Sequence, residues 1–271
     1  MGLNRMEMGL GQEKVVWITG ASSGIGEALT YAYATSGAKV VISARNIEGL
    51  QAVKQKCPRP NDIYILPLDL LKLEEFNIKT NEAWNAFGTI DLLINNAGVS
   101  QRSLIIETDM EVYKKLMDIN YLGTVALSKA ILPKFLLQNK GQFAVVSSLM
   151  GKFSSPYRSG YCGVKHALHG FFDALRMEHE KDGITVTIIC PGFIQTDVAK
   201  NALVGDGSKN NTEDKATENG LAVNVFAARM KNAIEKKKFE AYIGKKEVLG
   251  IYLKRFFPKL LHKIVLKSEV R

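Results

Sequence analysis

The sequence predicts an α/β fold, a Rossmann-like doubly wound parallel sheet with helices on both faces in a single domain. The first observation behind this prediction is that short, almost continuously apolar segments alternate with longer segments of helical periodicity. The second is that glycine and polar residues follow each apolar segment, at the edge where ligands bind in such sheets. The third is size, because 271 residues of which 46% are hydrophobic can bury one large core.

Six strands are predicted, each rich in β-branched or other apolar residues. They cover residues 15–19, 39–43, 63–68, 91–94, 142–147 and 184–190. Because apolar residues fill both faces of these segments, they are typical of parallel strands covered by helices on each side. Right-handed crossovers between successive strands then give the doubly wound arrangement.

Between the strands, apolar residues recur every three or four positions, which predicts helices. The predicted helices cover residues 25–36, 46–56, 73–87, 109–139 and 161–181. Pro133 predicts a kink in the longest of them. Residues 201–220 are polar and rich in glycine and asparagine, and this composition predicts a mobile loop that shapes the substrate pocket.

The formal net charge of +9 arises entirely from residues 229–271, which carry 13 Lys and Arg against 4 Asp and Glu. Residues 1–228 carry 23 of each sign. Within 249–271, two amphipathic helical pieces separated by Pro258 combine apolar faces with basic residues. This pattern fits an anionic membrane surface, and it equally fits packing over the pocket or against a second subunit. Specific nucleic-acid binding is not predicted, because no recognition motif accompanies the charge.

The cysteine and histidine spacings predict no disulfide framework and no metal site. Cys57, Cys162 and Cys190 have no paired spacing, so a reduced, cytoplasmic chain is predicted. His166 and His169 are three residues apart on a predicted helix, but no third ligand accompanies them. No apolar run reaches the roughly 18–20 residues of a membrane span. Any membrane contact is therefore expected to be peripheral.

Gly20, Gly24 and Gly26 lie between a predicted strand and a predicted helix. Glycine lets the backbone turn sharply and approach a pyrophosphate, whose charge the helix N-terminus stabilises. A tight turn without a ligand would also explain three glycines. The strand-turn-helix context favours a dinucleotide site.

The residues after the second predicted strand indicate which dinucleotide is bound. Sites for NAD usually have a carboxylate there to bind the ribose 2′-hydroxyl, but this chain has Ser43, Ala44 and Arg45. An arginine suits the 2′-phosphate of NADP. The sequence therefore favours NADP(H), and the alternative for Arg45 is an ordinary surface residue.

Tyr161 and Lys165 are four residues apart on a predicted helix and share one of its faces. An ammonium beside a phenol stabilises the phenolate, so such a tyrosine can transfer a proton near neutral pH. Ser148 ends the fifth predicted strand, where its hydroxyl can bond a substrate oxygen.

In combination, these motifs resemble the short-chain dehydrogenase/reductase family, in particular its member 7 and 7B-like branch. The resemblance is strong over residues 13–200 and continues more weakly to the C-terminus. The matching pieces are the turn 19–26, Asn95-Asn96-Ala97-Gly98, Asn120, Ser148, Tyr161 with Lys165, and Pro191-Gly192; segment 151–161 matches the branch.

The resemblance implies catalytic roles for four residues. Tyr161 is expected to be the general acid in carbonyl reduction, or the base in alcohol oxidation. Lys165 is expected to bind the nicotinamide ribose and lower the pKa of Tyr161, and Ser148 to orient the substrate oxygen. Asn120 is expected to hold a water that connects Lys165 to solvent.

The resemblance also implies a cofactor site. Asp69 is expected to contact adenine, and Pro191, Gly192 and Thr196 are expected to close over the nicotinamide end. The full set expected to bind NADP(H) is Gly20, Ser22, Ser23, Gly24, Ile25, Gly26, Arg45, Asp69, Asn96, Ala97, Gly98, Tyr161, Lys165, Pro191, Gly192 and Thr196.

The expected organisation is a flexible N-terminus at 1–12, a Rossmann-like NADP-binding catalytic domain at 13–248 and a basic amphipathic segment at 249–271. The expected activity is NADP(H)-dependent reduction of a carbonyl compound or oxidation of the corresponding alcohol. A catalytically silent NADP-binding interaction protein is the alternative. The resemblance also implies a homodimer or homotetramer. A bulky apolar substrate is favoured by the apolar side chains near the motifs, Leu149, Phe153, Tyr157 and Phe193.

Overall fold

The structure is a computed structural model that describes residues 14–268. The predicted N-terminus 1–12 and the last three residues of the C-terminal segment lie outside the described residues. Within the described range the strands are β1 (Val15–Thr19), β2 (Lys39–Ser43), β3 (Ile63–Ile65), β4 (Leu92–Asn95), β5 (Gly141–Val146), β6 (Ile184–Pro191) and β7 (Glu240–Ile243).

All strand pairs in the sheet are parallel, and the order across it is β3-β2-β1-β4-β5-β6-β7. The chain therefore builds outward from β1 in one direction and from β4 in the other. Connections leaving the carboxyl ends of β1 and β4 diverge, and this divergence opens a crevice between them. The predicted doubly wound sheet is confirmed.

Ten α-helices are described between residues 14 and 268, and they pack on both faces of the sheet. They are α1 (Gly24–Thr35), α2 (Ile47–Lys56), α3 (Phe76–Phe87), α4 (Met110–Met117), α5 (Gly123–Leu137), α6 (Ser159–Glu178), α7 (Lys215–Glu218), α8 (Val223–Glu235), α9 (Leu249–Phe256) and α10 (Pro258–Lys267).

Two predicted elements differ from the observed ones. The strand predicted at 63–68 ends at Ile65, since Pro67 has no N–H to continue the ladder, although Leu66 and Leu68 still donate to the backbone of the β2 segment. The helix predicted at 109–139 is divided by a π-helical turn at Asp118–Leu122. It continues through Pro133, which is exposed, so water can reach the carbonyl that the ring leaves unbonded.

The sheet separates two apolar cores. Side chains of β1 alternate between them: Val15 and Trp17 belong to the core that includes Phe143, whereas Val16 and Ile18 belong to the other. Each fully buried side chain of this size stabilises the fold by about 1.5–3 kcal/mol relative to its exposed state. Continuous burial along β1 explains why its sequence shows no polar alternation.

The C-terminal segment forms two helices, α9 and α10, on either side of the predicted break at Pro258. Their inner residues pack on the core, with Gly250 against the Phe153 ring and Leu261 buried. Across residues 14–268, none of the helices combines the length and the hydropathy that a membrane crossing requires.

Candidate active site

A cavity of about 730 Å³ lies at the carboxyl ends of the central strands, where the crevice was expected. Loops from both halves of the sheet contribute to its wall. Gly26 and Asn120 do not line it, whereas the other predicted site residues do: Gly20, Ser22, Ser23, Gly24, Ile25, Arg45, Asp69, Asn96, Ala97, Gly98, Ser148, Tyr161, Lys165, Pro191, Gly192 and Thr196. The structure thus brings together nearly all of the residues that the sequence singled out.

The turn between β1 and α1 needs glycine for two separate reasons. Gly20 has a φ of +67°, and a Cβ there would lie 2.8 Å from the Cα of Ala97. Gly26 faces the opposite way, and its Cβ would lie 2.7 Å from the carbonyl carbon of Gly20. Gly26 therefore supports the cavity by letting α1 start close to the turn, without lining it.

Hydrogen bonds join this turn to the loop after β4. The Thr19 hydroxyl accepts from the backbone N–H groups of Asn96 and Ala97, at 3.0 and 3.1 Å. The Asn96 side chain donates to the Thr19 carbonyl at 2.9 Å. These bonds hold the two loops at the fixed separation that a ligand lying between them requires.

The residues that directly follow β2, 44–46, contribute an exposed cation and no carboxylate to the wall. Arg45 is exposed at the end of β2, and Asn46 caps α2 by accepting from the N–H of Gly49 at 3.1 Å. Ser22 approaches the same place, because a Cβ on Gly49 would lie 3.0 Å from the Cβ of Ser22. An anionic group between Arg45 and Ser22 would therefore meet a guanidinium and a hydroxyl.

The opposite wall is formed by the chain that follows β6. The N–H of Gly192 donates to the Ile243 carbonyl at 2.9 Å, which fixes this chain against β7. A Cβ on Gly24 would lie 3.3 Å from a methyl carbon of Thr196, so this wall meets the glycine turn directly. The two sides of the cavity therefore converge at Thr196.

Tyr161 and Lys165 lie on one face of α6, as the spacing predicts. The ammonium nitrogen of Lys165 is 5.6 Å from the centre of the Tyr161 ring and donates to the Val146 carbonyl at 2.7 Å. The Ser148 side chain lies close enough to the Tyr161 hydroxyl to lower its pKa. Phenol, hydroxyl and ammonium thus meet where the cavity reaches the end of β5.

Burial sets the protonation of this pair. It raises the pKa of Tyr161, and this outweighs the nearby Ser148 hydroxyl and the Arg102 and Arg158 charges, which lower the pKa. Burial also lowers the pKa of Lys165 to about 8. The expectation that the pKa of Tyr161 is lowered is therefore wrong for the chain itself, because desolvation of the phenolate is the largest effect. A raised pKa keeps the phenol protonated, which suits a proton donor.

Asn120 lies in the π-helical turn and uses its side chain on the backbone. Its Oδ1 accepts from the N–H of Val99 at 2.9 Å, and its Nδ2 donates to the Val99 and Leu116 carbonyls, both at 3.1 Å. Gly98 permits this contact, because a Cβ there would overlap Oδ1 and lie 3.7 Å from the nitrogen of Lys165. Asn120 therefore positions the loop after β4 behind Lys165, and the water expected between them stays a prediction.

Comparisons with known proteins agree with this geometry. The family model for short chain dehydrogenases matches residues 14–207. The chain belongs to the short-chain dehydrogenase family. It is 39% identical over 257 residues to human dehydrogenase/reductase SDR family member 7, covering 91% of this chain and 75% of that one. It is 36% identical over 257 residues to the member 7B protein of Xenopus tropicalis, covering 92% and 83%. The predicted branch is confirmed, and the protein is an oxidoreductase.

Solved structures share the fold of this dehydrogenase. A short-chain dehydrogenase from Streptomyces avermitilis superposes with a TM-score of 0.80 at 24% identity, covering 96% of this chain and 99% of that one. A family member from Burkholderia phymatum in complex with NAD also has a TM-score of 0.80, at 22% identity and coverage of 92% and 95%.

The 201–220 loop of this dehydrogenase is tied down at several points. Leu203 bridges to Gln101, and the N–H of Asp109 donates to the Gly205 carbonyl at 2.9 Å. Asp214, 4% exposed, accepts from Arg102 at 2.8 Å and pairs with Arg158 at 3.4 Å. Composition alone could not predict these contacts, because the partners are distant in sequence.

One aromatic and one aliphatic residue that were expected near the substrate belong to the core instead. Phe153 is 6% exposed and packs against Gly250, and Leu149 is 2% exposed. The apolar wall of the cavity is formed instead by residues such as Ile194, Val198 and Leu203. Sequence proximity to Ser148 misled here because a 3₁₀ turn at Leu149–Gly151 points the chain inward.

Sequence reasoning also missed a buried polar chain behind the site. The Ser147 hydroxyl donates to the Lys165 carbonyl and lies 3.0 Å from His169 Nε2, and His169 Nδ1 lies 3.1 Å from a Glu240 oxygen. The order serine, histidine, carboxylate is that of a hydrolase triad. Ser147 is 1% exposed, with Gly151 packed over its hydroxyl, and this series of polar side chains joins the end of β5 to α6 and β7.

Proposed function

We propose that the protein is an NADP(H)-dependent oxidoreductase that reduces a carbonyl compound, or oxidises the corresponding alcohol, with Tyr161 as the general acid or base. The observation that carries this proposal is the meeting of Tyr161, Ser148 and Lys165 in the cavity that the glycine turn also lines. Proton-transfer groups and a dinucleotide cradle therefore share one space.

The chain fits a dinucleotide on its own geometry. Gly20 lets the turn lie against the loop after β4, since a Cβ there would be 2.8 Å from the Cα of Ala97, and Arg45 and Ser22 line the same cavity as possible partners for an anion. A dinucleotide held there would supply the hydride to the substrate carbon, or accept it in the oxidation direction. Ser148 orients the substrate oxygen, and Tyr161 holds the proton that this oxygen receives.

The preference for NADP(H) rests on Arg45 and on the absence of a carboxylate in residues 43–46. Arg45→Asp removes the partner of the 2′-phosphate and supplies a partner for a 2′-hydroxyl. We expect the dissociation constant for NADPH to rise roughly 10- to 100-fold, as for the loss of a charge-assisted bond, and that for NADH to stay level or fall. Arg229→Asp, an exposed arginine on α8, is the matched control. Wild-type protein that binds NADH as tightly as NADPH would contradict the preference.

Turnover separates this proposal from the silent alternative. Consumption of NADPH is measured spectrophotometrically against a panel of small, aromatic and long-chain carbonyl compounds. An enzyme turns over at least one of them in proportion to protein concentration, whereas an interaction protein binds NADPH and turns over none. Because Val198 and Leu203 line the cavity, we propose that an apolar carbonyl substrate is preferred over a small polar one.

A second proposal concerns the outer face of α9 and α10. Leu249, Tyr252, Phe256, Phe257, Leu260 and Ile264 form an exposed apolar face, with exposures between 46% and 68%. Residues 249–268 also carry five Lys and Arg and no Asp or Glu. Two copies joined through this face would bring like charges together, whereas anionic lipid complements them. We propose peripheral contact with anionic membrane at the cytoplasmic side.

Vesicle sedimentation tests the membrane contact. The full chain should pellet with phosphatidylcholine vesicles that contain 30% phosphatidylserine, and less with phosphatidylcholine alone or at high salt. The double variant Phe256→Glu/Phe257→Glu should stay in solution, while Leu137→Glu, at a still more exposed apolar site on α5, should behave as wild type. Equal pelleting of the wild type and the double variant would refute the contact. The proposed homodimer or homotetramer is tested by light scattering of the same proteins.

A further inference from the structure

Gln101 is a fully buried polar residue in the segment that follows β4, with 0% exposure. Its amide oxygen accepts from the N–H of Gly160 at 2.7 Å and from the N–H of Tyr161 at 3.3 Å. Its amide nitrogen donates to the hydroxyls of Ser103 and Thr108, both at 3.2 Å. Both ends of the side chain are thus satisfied, and one end is bonded to the backbone of Tyr161.

These bonds cap the helix that carries the catalytic pair. The first N–H groups of an α-helix have no partner inside the helix and are usually capped by the residue before it. Arg158 precedes α6, and its side chain makes no capping bond. Gln101 accepts from two of these N–H groups although it is 59 residues away from Gly160 in sequence. The start of α6 is therefore fixed by a different part of the fold.

The close approach that makes the cap possible depends on Gly160. A Cβ there would lie 2.8 Å from a Leu116 methyl carbon and 3.2 Å from the Gln101 amide oxygen. Tyr113 of α4 also hydrogen-bonds Ser159 at 2.9 Å. The N-terminal turn of α6 is thus held between α4 and Gln101.

The backbone on either side of Gln101 supports the 201–220 loop. Gln101 forms a parallel bridge with Leu203. The N–H of Leu203 donates to the Ser100 carbonyl at 2.9 Å, and the N–H of Arg102 donates to the Leu203 carbonyl at 2.8 Å. Gln101 is therefore bonded to α6 through its side chain, and its chain neighbours Ser100 and Arg102 bond the loop at Leu203.

We propose that Gln101 is a positioning residue that sets the backbone of Tyr161 and couples it to docking of the 201–220 loop. The proposal rests on the proposed function, since it gives Tyr161 the proton-transfer role. A loop docked at Leu203 holds the 100–102 segment in place, and that segment holds the phenol at the cavity through the cap on α6. Loosening either bond set displaces Tyr161 relative to Ser148.

Two variants separate positioning from general stability. Gln101→Met keeps the length of the side chain and removes both polar ends. Gln101→Glu keeps an acceptor for the two N–H groups, and the Ser103 and Thr108 hydroxyls can rotate to donate to it. Gln138→Met is the control, because the Gln138 side chain also donates to a backbone carbonyl, that of Ile90, but does not line the cavity.

The expected result for Gln101→Met is a fall in kcat of roughly tenfold or more, because small displacements of reacting groups are costly, while the dissociation constant for NADPH changes less than about threefold. Hydrogen exchange should quicken at the amides of Tyr161 and Leu203. Gln101→Glu should recover most of kcat. In its pH profile for carbonyl reduction, the alkaline limb should move to higher pH, because the added anion disfavours the phenolate of Tyr161. If Gln101→Met does not fold, the pH profile of Gln101→Glu decides.

The failure of this inference is distinguishable from that of the proposed function. Full activity in Tyr161→Phe would refute the proposed function itself. With Tyr161→Phe inactive, wild-type kcat and amide exchange in Gln101→Met would refute the positioning role alone. A Gln101→Glu variant with an unshifted pH profile and the same defect as Gln101→Met would also refute it.

Discussion

The ammonium of Lys165 lies 5.6 Å from the centre of the Tyr161 ring and bonds the Val146 carbonyl at 2.7 Å. One cation thus contacts both Tyr161, the proposed proton-transfer residue, and the end of β5. Lys165 is only 5% exposed. Its position beside Tyr161 therefore carries a desolvation cost for the ammonium charge. Both consequences are measurable.

Lys165→Met should weaken cofactor binding and change how stability depends on pH. The dissociation constant for NADPH should rise roughly 10- to 100-fold, as for loss of a hydrogen bond from a charged group. The folded-state pKa of about 8 lies below the ordinary 10.5, so the unfolded chain binds more protons between these values. The free energy of unfolding of the wild type, relative to that of Lys165→Met, should therefore increase as pH rises from about 8 toward 10.5.

Urea unfolding of both proteins at several pH values checks this prediction. Lys129→Met, an exposed position on α5, is the control and should show no such trend. A stability difference between wild type and Lys165→Met that does not change with pH would contradict the burial of the ammonium.

The glycines at positions 26 and 163 should respond oppositely to alanine. At Gly26 a Cβ would lie 2.7 Å from the carbonyl carbon of Gly20, so Gly26→Ala should lower the free energy of unfolding by about 1–3 kcal/mol and weaken NADPH binding. At Gly163, in α6, an added Cβ would meet no atom within 4 Å, so Gly163→Ala should raise the free energy of unfolding by about 0.5–1 kcal/mol. Chemical denaturation measures the free energy of unfolding of both variants. The same change in both would contradict the close packing of the turn at Gly26.

Glu240 should make stability depend on acid. Burial raises its pKa, but hydrogen bonds from His169, Lys152 and Tyr242 outweigh burial and bring it to about 2, against an ordinary 4.5. The ionised carboxylate therefore stabilises the fold above pH 4.5, and this contribution is lost as pH falls toward 2. Glu240→Gln should be less stable than wild type at pH 7, and the difference should shrink below pH 4.5. A difference that is constant between pH 7 and pH 3 would argue against the prediction.

The parallel sheet could be predicted because its strands are apolar along their whole length, as in β1, and because the residues after each strand converge by geometry alone. Most of the cavity-lining residues that follow those strands could be named for the same reason, from Gly20 to Gly192. β7 escaped prediction because Glu240–Ile243 is a short edge strand with a charged first residue.

Other parts of the site depend on contacts that no local pattern encodes. Gln101 caps α6 across 59 residues of sequence, and Asp214 reaches two arginines from a loop whose composition predicts only mobility. The pKa of Tyr161 was predicted in the wrong direction because sequence spacing shows the neighbouring cation and not the burial of both groups. Desolvation by residues that are distant in sequence is the physical effect that local spacing does not show.

The most direct test of the account is turnover by Tyr161→Phe, measured beside NADPH binding in the same preparation. Phenylalanine keeps the ring and removes the proton, so kcat should fall roughly 10²- to 10⁴-fold while the dissociation constant for NADPH stays within about threefold of wild type. Tyr64→Phe, which loses only a bond to Glu82 at the surface of the sheet, should keep full activity. Undiminished turnover in Tyr161→Phe, or loss of NADPH binding in that variant, would contradict the assignment of Tyr161 as the proton-transfer residue.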